Sequence, residues 1–87
     1  MLWQIDVPDN VSRQYKKLGP IEQKHYRSAI KDLGLARDPR RVGKYEDNGC
    51  YSYRLTKSSR LIYRVFRGER VIQLVAVGDH KEVYGKG

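Results

Sequence analysis

The stretch CYSYRLTKSSRLIYRVFRGERVIQLVAV, residues 50–77, decides the fold. Apolar or aromatic side chains alternate with polar ones over 50–55 and again over 60–65, which is the period of a half-buried strand. A nearly continuous apolar run over 71–77 is typical of a strand in the interior of a sheet. Two turn signals separate the three segments, at Lys57-Ser58-Ser59 and at Arg67-Gly68-Glu69. The stretch therefore predicts a three-stranded antiparallel meander.

The same alternation predicts a basic face on this meander. Tyrosine, leucine and valine occupy one set of alternating positions, and that set is the candidate core. Arg54, Arg60 and Arg64 belong to the opposite set. We therefore expect these three guanidinium groups to share one surface of the sheet.

The residues before the meander predict one strand and two helices. Residues 2–7 alternate as a short strand and are followed by a proline. Apolar positions recur at helical spacing over 11–18 and over 21–34, and Gly19 and the proline after it separate the two helices. Residues 35–48 have no sustained period and are interpreted as a connecting loop.

The order of these elements predicts an α+β fold in a single domain, residues 1–87. The N-terminal strand precedes an antiparallel helical hairpin, and the meander follows. Such an arrangement packs both helices on one face of the sheet, because each element must bury one apolar face. The opposite face is left open and carries the arginines.

The charge of the chain favours an anionic partner. Lysine and arginine number 18 against 10 acidic residues, and residues 37–70 hold ten of these cations and four of the carboxylates. A surplus of this kind favours nucleic acid or an acidic protein segment. No apolar run approaches the roughly 20 residues of a spanning helix, and no signal-peptide pattern opens the chain, so we expect a cytoplasmic protein without a membrane partner.

Metal and cofactor sites are not expected. The soft ligands are Cys50, His25 and His80, too few for a structural zinc site of the usual cysteine type. One cysteine also allows no internal disulfide.

Several short motifs resemble one known family. RLIYRV at 60–65 and VAVGDHKEVY at 75–84, together with KLG at 17–19 and GCYSYRL at 49–55, are similar to the RelE/ParE superfamily of bacterial and archaeal toxins. The resemblance covers the whole chain and implies the RelE-like microbial RNase fold.

The resemblance implies a toxin held in check by a cognate antitoxin. The RelE, YoeB and HigB-like branches cut messenger RNA in the ribosomal A site, so we expect a ribosome-dependent endoribonuclease that inhibits translation without a metal or another cofactor. One alternative is an inhibitor of DNA gyrase, as in the ParE branch, and another is an inactive module that only binds nucleic acid or protein. The expected partners are the ribosome with its messenger RNA and an antitoxin whose acidic segment or helix lies across the sheet. The free toxin is expected to be monomeric and the complex of higher order.

Metal-free RNA cleavage requires a base for the 2'-hydroxyl, cations for the phosphorane and an acid for the departing 5'-oxygen. Arg60 and Arg54 suit the charge stabilisation because guanidinium stays ionised and offers a planar fork. His80 is assigned to proton transfer and Tyr84 to positioning or proton transfer. Glu46 resembles the acidic base of the YoeB branch.

Seven further basic residues form a predicted RNA-binding set: Arg37, Arg40, Arg41, Lys44, Lys57, Arg64 and Lys81. Two departures from the family pattern accompany these assignments. Ser52 stands where some RelE members carry a lysine, and the segment from Gly78 to Tyr84 is shorter than in the arginine-tailed RelE form. The catalytic set is therefore expected to be closer to a histidine-using variant.

Overall fold

A computed structural model describes residues 2–79, 81 and 83, and these form two helices against one mixed sheet. The helices are α1 (Asp9–Lys16) and α2 (Pro20–Leu35). The strands are β1 (Gln4–Asp6), β2 (Lys44–Tyr45), β3 (Cys50–Arg54), β4 (Ser59–Phe66) and β5 (Val71–Asp79).

The sheet has the strand order β1-β5-β4-β3-β2. The pairs β3–β4 and β4–β5 are antiparallel, which confirms the predicted meander, and β1 lies parallel to β5. The prediction of a plain loop over residues 35–48 was wrong in part, because this segment holds a short 3-10 helix, Pro39–Arg41, and the edge strand β2. Two residues are too few to show a strand period, so the sequence carried no signal for β2.

A bulge explains why the β5 sequence looks continuously apolar. Ile62 pairs with Ala76 and Tyr63 pairs with Leu74, so Val75 is the extra residue on β5. The bulge interrupts the alternation of faces, and Val75 and Ala76 are both half-buried. The strand is interior to the sheet, as predicted.

The core lies between the helices and one face of the sheet. Val11 of α1 and Ala29 and Leu33 of α2 are fully buried, and the fully buried apolar side chains of the sheet are Leu61, Tyr63, Ile72, Leu74 and Val77. Each large aliphatic side chain buried in this way contributes about 1.5 to 3 kcal/mol. The inward positions of β4 are those that the alternation predicted, which confirms the fold class.

Tyr63 connects the core to the loop that precedes β2. Its hydroxyl donates to the carbonyl of Pro39 at 2.7 Å and accepts from the N–H of Gly43 at 3.0 Å. The ring is fully buried. Because one of these bonds holds the first residue of the 3-10 helix and the other holds Gly43 just before β2, Tyr63 fixes the position from which β2 begins.

Replacement of Tyr63 by phenylalanine is expected to destabilise the fold by about 2 kcal/mol, since the Gly43 N–H loses its partner and the Pro39 carbonyl keeps only its bond from the Val42 N–H. Burial raises the pKa of Tyr63 to about 12, so the neutral phenol is favoured in the folded state. This contribution is fully present below pH 10 and is lost as the pH rises towards 12. Denaturant unfolding at several alkaline pH values measures it, and a wild type that loses no more stability than Tyr63→Phe in that window would contradict the assignment.

Candidate functional site

Three cross-strand rows of residues build the open face of the sheet. In the first row Arg54 faces Arg60, and Arg60 faces Gly78 on the other side. Cys50 faces Arg64 two rows further along the strands. The prediction that the three arginines share one face is confirmed, but four residues of β4 place Arg64 about 13 Å from Arg60.

Arg60 is anchored to the turn between β3 and β4. Its Nη1 donates to the carbonyls of Thr56 at 3.0 Å, Ser59 at 3.1 Å and Lys57 at 3.4 Å. The turn itself is held by the Thr56 hydroxyl, which accepts from the N–H groups of Ser58 and Ser59. Within the described residues all hydrogen bonds of Arg60 use Nη1, so Nε and Nη2 can address a ligand.

An open groove of about 640 Å³ lies beside this arginine pair. Among the described residues its lining includes the three cationic side chains of Lys44, Arg54 and Arg60 and no carboxylate. Gly78, which pairs with Arg60 on the β5 side, is buried and adds no side chain there. The groove can therefore hold a phosphate group between guanidinium forks.

Glu46 lies on the same face but beyond the groove. The Ser52 hydroxyl donates to Oε2 of Glu46 at 2.6 Å, and the backbone N–H of Glu46 donates to the carbonyl of Cys50. Glu46 lines a second depression of about 310 Å³ with Arg64 and Val83. Along the strand direction Glu46 is thus closer to Arg64 than to Arg60. Ser52 belongs to the row between those two arginines.

Arg64 is also fixed on this face. Its Nε donates to the sulfur of Cys50 at 3.3 Å, and this bond raises the pKa of Arg64. The side chain is exposed, so its charge remains available to a ligand. Sequence reasoning named Arg64 but missed that Ser52 and Cys50 orient the charged groups of the face.

The predicted RNA-binding loop is divided by the fold. Lys44 enters the groove, whereas Arg37 and Arg40 line a different cleft with Arg67 and Arg70. The remaining predicted cations are exposed: Arg41, Lys57 on the β3–β4 turn, and Lys81 after β5.

Arg40 is already paired within the chain. It binds Asp38 through two hydrogen bonds of 2.9 Å, from Nε and Nη2. The bonds to Arg40 lower the pKa of Asp38 to about 2. Arg40 is therefore less available to an RNA phosphate than the sequence suggested.

His80 and Tyr84 lie outside the described residues, so their predicted roles stay predictions. Over residues 2–79, 81 and 83, no three histidine, cysteine or acidic side chains are grouped to hold a metal ion. The described helices are also too short or too polar to cross a membrane.

The architecture is that of small bacterial and archaeal toxins. The E. coli RelBE toxin–antitoxin complex matches with a TM-score of 0.73 at 19% identity, over 88% of this chain and 95% of the other. The archaeal RelE–RelB complex from Pyrococcus horikoshii matches with a TM-score of 0.75 at 20% identity, over 100% of both chains. The YoeB dimer from Staphylococcus aureus matches with a TM-score of 0.68 at 21% identity, over 92% and 99%.

The sequence itself defines the family more closely. A family model described as the ParE toxin of type II toxin–antitoxin systems (parDE) matches residues 9–84, and the chain belongs to this family. The expected membership in the RelE/ParE toxin superfamily is confirmed. No curated protein sequence matches the chain.

Proposed function

We propose that this toxin is a ribosome-dependent endoribonuclease that cuts messenger RNA in the A site, in the cytoplasm. The observation that carries the proposal is the cross-strand pair Arg54 and Arg60, in a groove whose described lining residues include no carboxylate. A groove of this charge suits a transition state that gains negative charge on phosphate oxygens.

The proposed reaction is attack of the 2'-hydroxyl oxygen on the adjacent phosphorus. A new P–O2' bond forms, the P–O5' bond breaks, and the products are a 2',3'-cyclic phosphate and a 5'-hydroxyl. The 2'-hydroxyl proton passes to a base, and the 5'-oxygen receives a proton from an acid. Arg60 and Arg54 stabilise the charge of the phosphorane between these two transfers.

Proton transfer is proposed for His80, with Tyr84 in positioning or proton transfer. The chain leads to His80 from Asp79, which pairs with Ser59 beside Arg60, and this register supports the role. Glu46 is the third candidate, and its bond to Ser52 supports a fixed carboxylate on the same face. Lys44, Lys57 and the other exposed cations of the predicted RNA-binding set would hold the RNA backbone.

Inhibition of DNA gyrase is the second candidate function, because the family model that matches the chain carries the ParE name. Such an inhibitor acts by binding a protein and has no use for a phosphate groove with a proton-transfer group. The structural likenesses do not decide between the branches, since identities near 20% show the fold alone.

Purified toxin added to translating ribosomes is expected to cut messenger RNA within codons and to leave 2',3'-cyclic phosphate ends. His80→Ala is expected to cut about 100-fold more slowly. His25→Asn is the matched control, because His25 lies on α2, where its Nδ1 contacts the Leu55 carbonyl and asparagine retains a donor. A DNA supercoiling assay with gyrase tests the second candidate function, because a gyrase inhibitor would trap cleaved DNA. Trapped cleaved DNA without any RNA product would refute the nuclease and support the second candidate.

We also propose an antitoxin partner for this toxin. The E. coli and P. horikoshii relatives were solved as toxin–antitoxin complexes, and the basic open face suits an acidic segment or helix laid across the sheet. The free toxin would be monomeric and the complex of higher order. Co-expression of the neighbouring gene product is expected to restore growth, and light scattering of the purified complex measures its size. Persistent toxicity with every neighbouring gene would contradict the pairing.

A further inference from the structure

A second basic cleft lies at the end of the sheet opposite the Arg54–Arg60 groove. It has a volume of about 400 Å³, and its lining includes Trp3, Asp38 and four arginines: Arg37, Arg40, Arg67 and Arg70. Seven residues separate Arg60 from Arg67, which corresponds to about 23 Å along an extended strand. The cleft is therefore separate from the groove to which RNA cleavage is assigned.

One wall of the cleft is held rigidly. The guanidinium of Arg70 lies over the Trp3 ring, 4.7 Å from its centroid, and its Nε donates to the carbonyl of Leu2 at 3.2 Å. The Trp3 indole N–H donates to the Ala36 carbonyl at 2.8 Å, and the ring is only 5% exposed. Arg70 is thus fixed by stacking and by its Nε bond, which leaves its two terminal nitrogens for another acceptor.

The charge in the cleft is incompletely balanced. Four guanidinium groups face one carboxylate, Asp38, and Asp38 is paired with Arg40. Arg67 also lowers the pKa of Asp38 through its charge, but within residues 2–79, 81 and 83 no ion pair is found for Arg37, Arg67 or Arg70. Three arginines from two separate segments therefore line one cleft, and none of them has an ion-pair partner among the described residues.

We propose that this cleft is a second phosphate-binding site, which holds the backbone of RNA away from the reacting phosphate. The proposal rests on the proposed function in so far as RNA is the ligand. Arginine forks suit phosphate and carboxylate alike. The lining nevertheless favours a phosphodiester over an acidic peptide, because Trp3 is buried under Arg70 and the other residues are charged or glycine.

The chain contains a built-in reporter for this site. Trp3 is the single tryptophan in the 87 residues, so its fluorescence reports on this cleft alone. Titration of the intact protein with a single-stranded RNA oligonucleotide is expected to shift the Trp3 emission, because phosphate at Arg70 changes the charge above the ring. Inorganic phosphate is expected to cause the same shift at much higher concentration, which separates a free anion from a nucleic-acid backbone.

The double variant Arg37→Ala/Arg67→Ala is expected to weaken RNA binding about 10-fold. It should also reduce by about 1 the slope of the logarithm of the RNA association constant against the logarithm of the salt concentration. The Lys16→Ala/Lys24→Ala variant removes the same charge from exposed positions of α1 and α2 and is the control. An unchanged Trp3 response in Arg37→Ala/Arg67→Ala, or a tighter response to an oligoglutamate peptide than to RNA, would overturn the proposal. Arg60→Ala should keep the Trp3 response while cleavage is lost, so failure of the nuclease and failure of this site give different results.

Discussion

Replacement of Arg60 by alanine is expected to lower the rate of RNA cleavage on the ribosome by about 1000-fold. The guanidinium is held by three turn carbonyls before any substrate arrives, so its charge needs no reorganisation when the phosphorane forms. Loss of one preorganised donor to a developing oxyanion costs about 100- to 1000-fold, and Arg60 offers two nitrogens. The measurement is the single-turnover cleavage rate at saturating toxin.

The matched control is Arg13→Ala, which removes the same charge from an exposed position on α1. Arg60→Lys separates charge from shape, because an ammonium group keeps the charge but cannot bind the turn and a phosphate through one planar fork. We expect Lys to recover a small part of the rate. Equal cleavage by wild type, Arg60→Ala and Arg13→Ala would remove Arg60 from the mechanism, and an unchanged melting temperature is required for the comparison.

Alternation predicted β3 and β4 because these strands are half-buried and five or more residues long, and the nearly continuous apolar run over 71–77 predicted β5. The period of two fixes which side chains point inwards, and the observed pairs Tyr51–Tyr63 and Tyr53–Leu61 follow directly from it. The edge strand β2 could not be predicted, since its two residues pair only because Gly43 and Tyr63 bring the backbone to β3. Tertiary contacts rather than local pattern formed that element.

The sequence predicted which charged residues belong to the candidate site, but not which of them lie together in the fold. Arg54 and Arg60 share a row because the β3–β4 turn sets the register, and sequence alternation already placed them on one face. The loop arginines were expected to act together with Lys44, but the 3-10 helix turns Arg37 and Arg40 towards Arg67 instead. Distances between segments far apart in sequence depend on packing, which composition and spacing do not encode.

The β2 segment gives the second large expected effect, on stability. Replacement of Gly43 by alanine is expected to destabilise the protein by more than about 3 kcal/mol, because the added Cβ would overlap the Ser52 carbonyl oxygen and lie 2.6 Å from the Tyr63 hydroxyl. Neither atom can move cheaply: one belongs to β3 backbone, and the other bonds Pro39 and Gly43. For a domain of this size the loss lowers the melting temperature by more than about 12 °C.

Two other glycines isolate the cause of that loss. At Gly68 a Cβ meets nothing within 4 Å, so Gly68→Ala is expected to change stability by less than about 0.5 kcal/mol. At Gly49 the space is equally open but φ is +76°, so alanine costs about 1 to 2 kcal/mol from backbone strain alone. In thermal unfolding we therefore expect Gly43→Ala to lose far more stability than Gly49→Ala, and Gly49→Ala to lose more than Gly68→Ala. If Gly43→Ala has the same melting temperature as Gly68→Ala, the close approach of the loop to β3 and Tyr63 is contradicted. The position of Lys44 in the lining of the phosphate groove would then be contradicted as well.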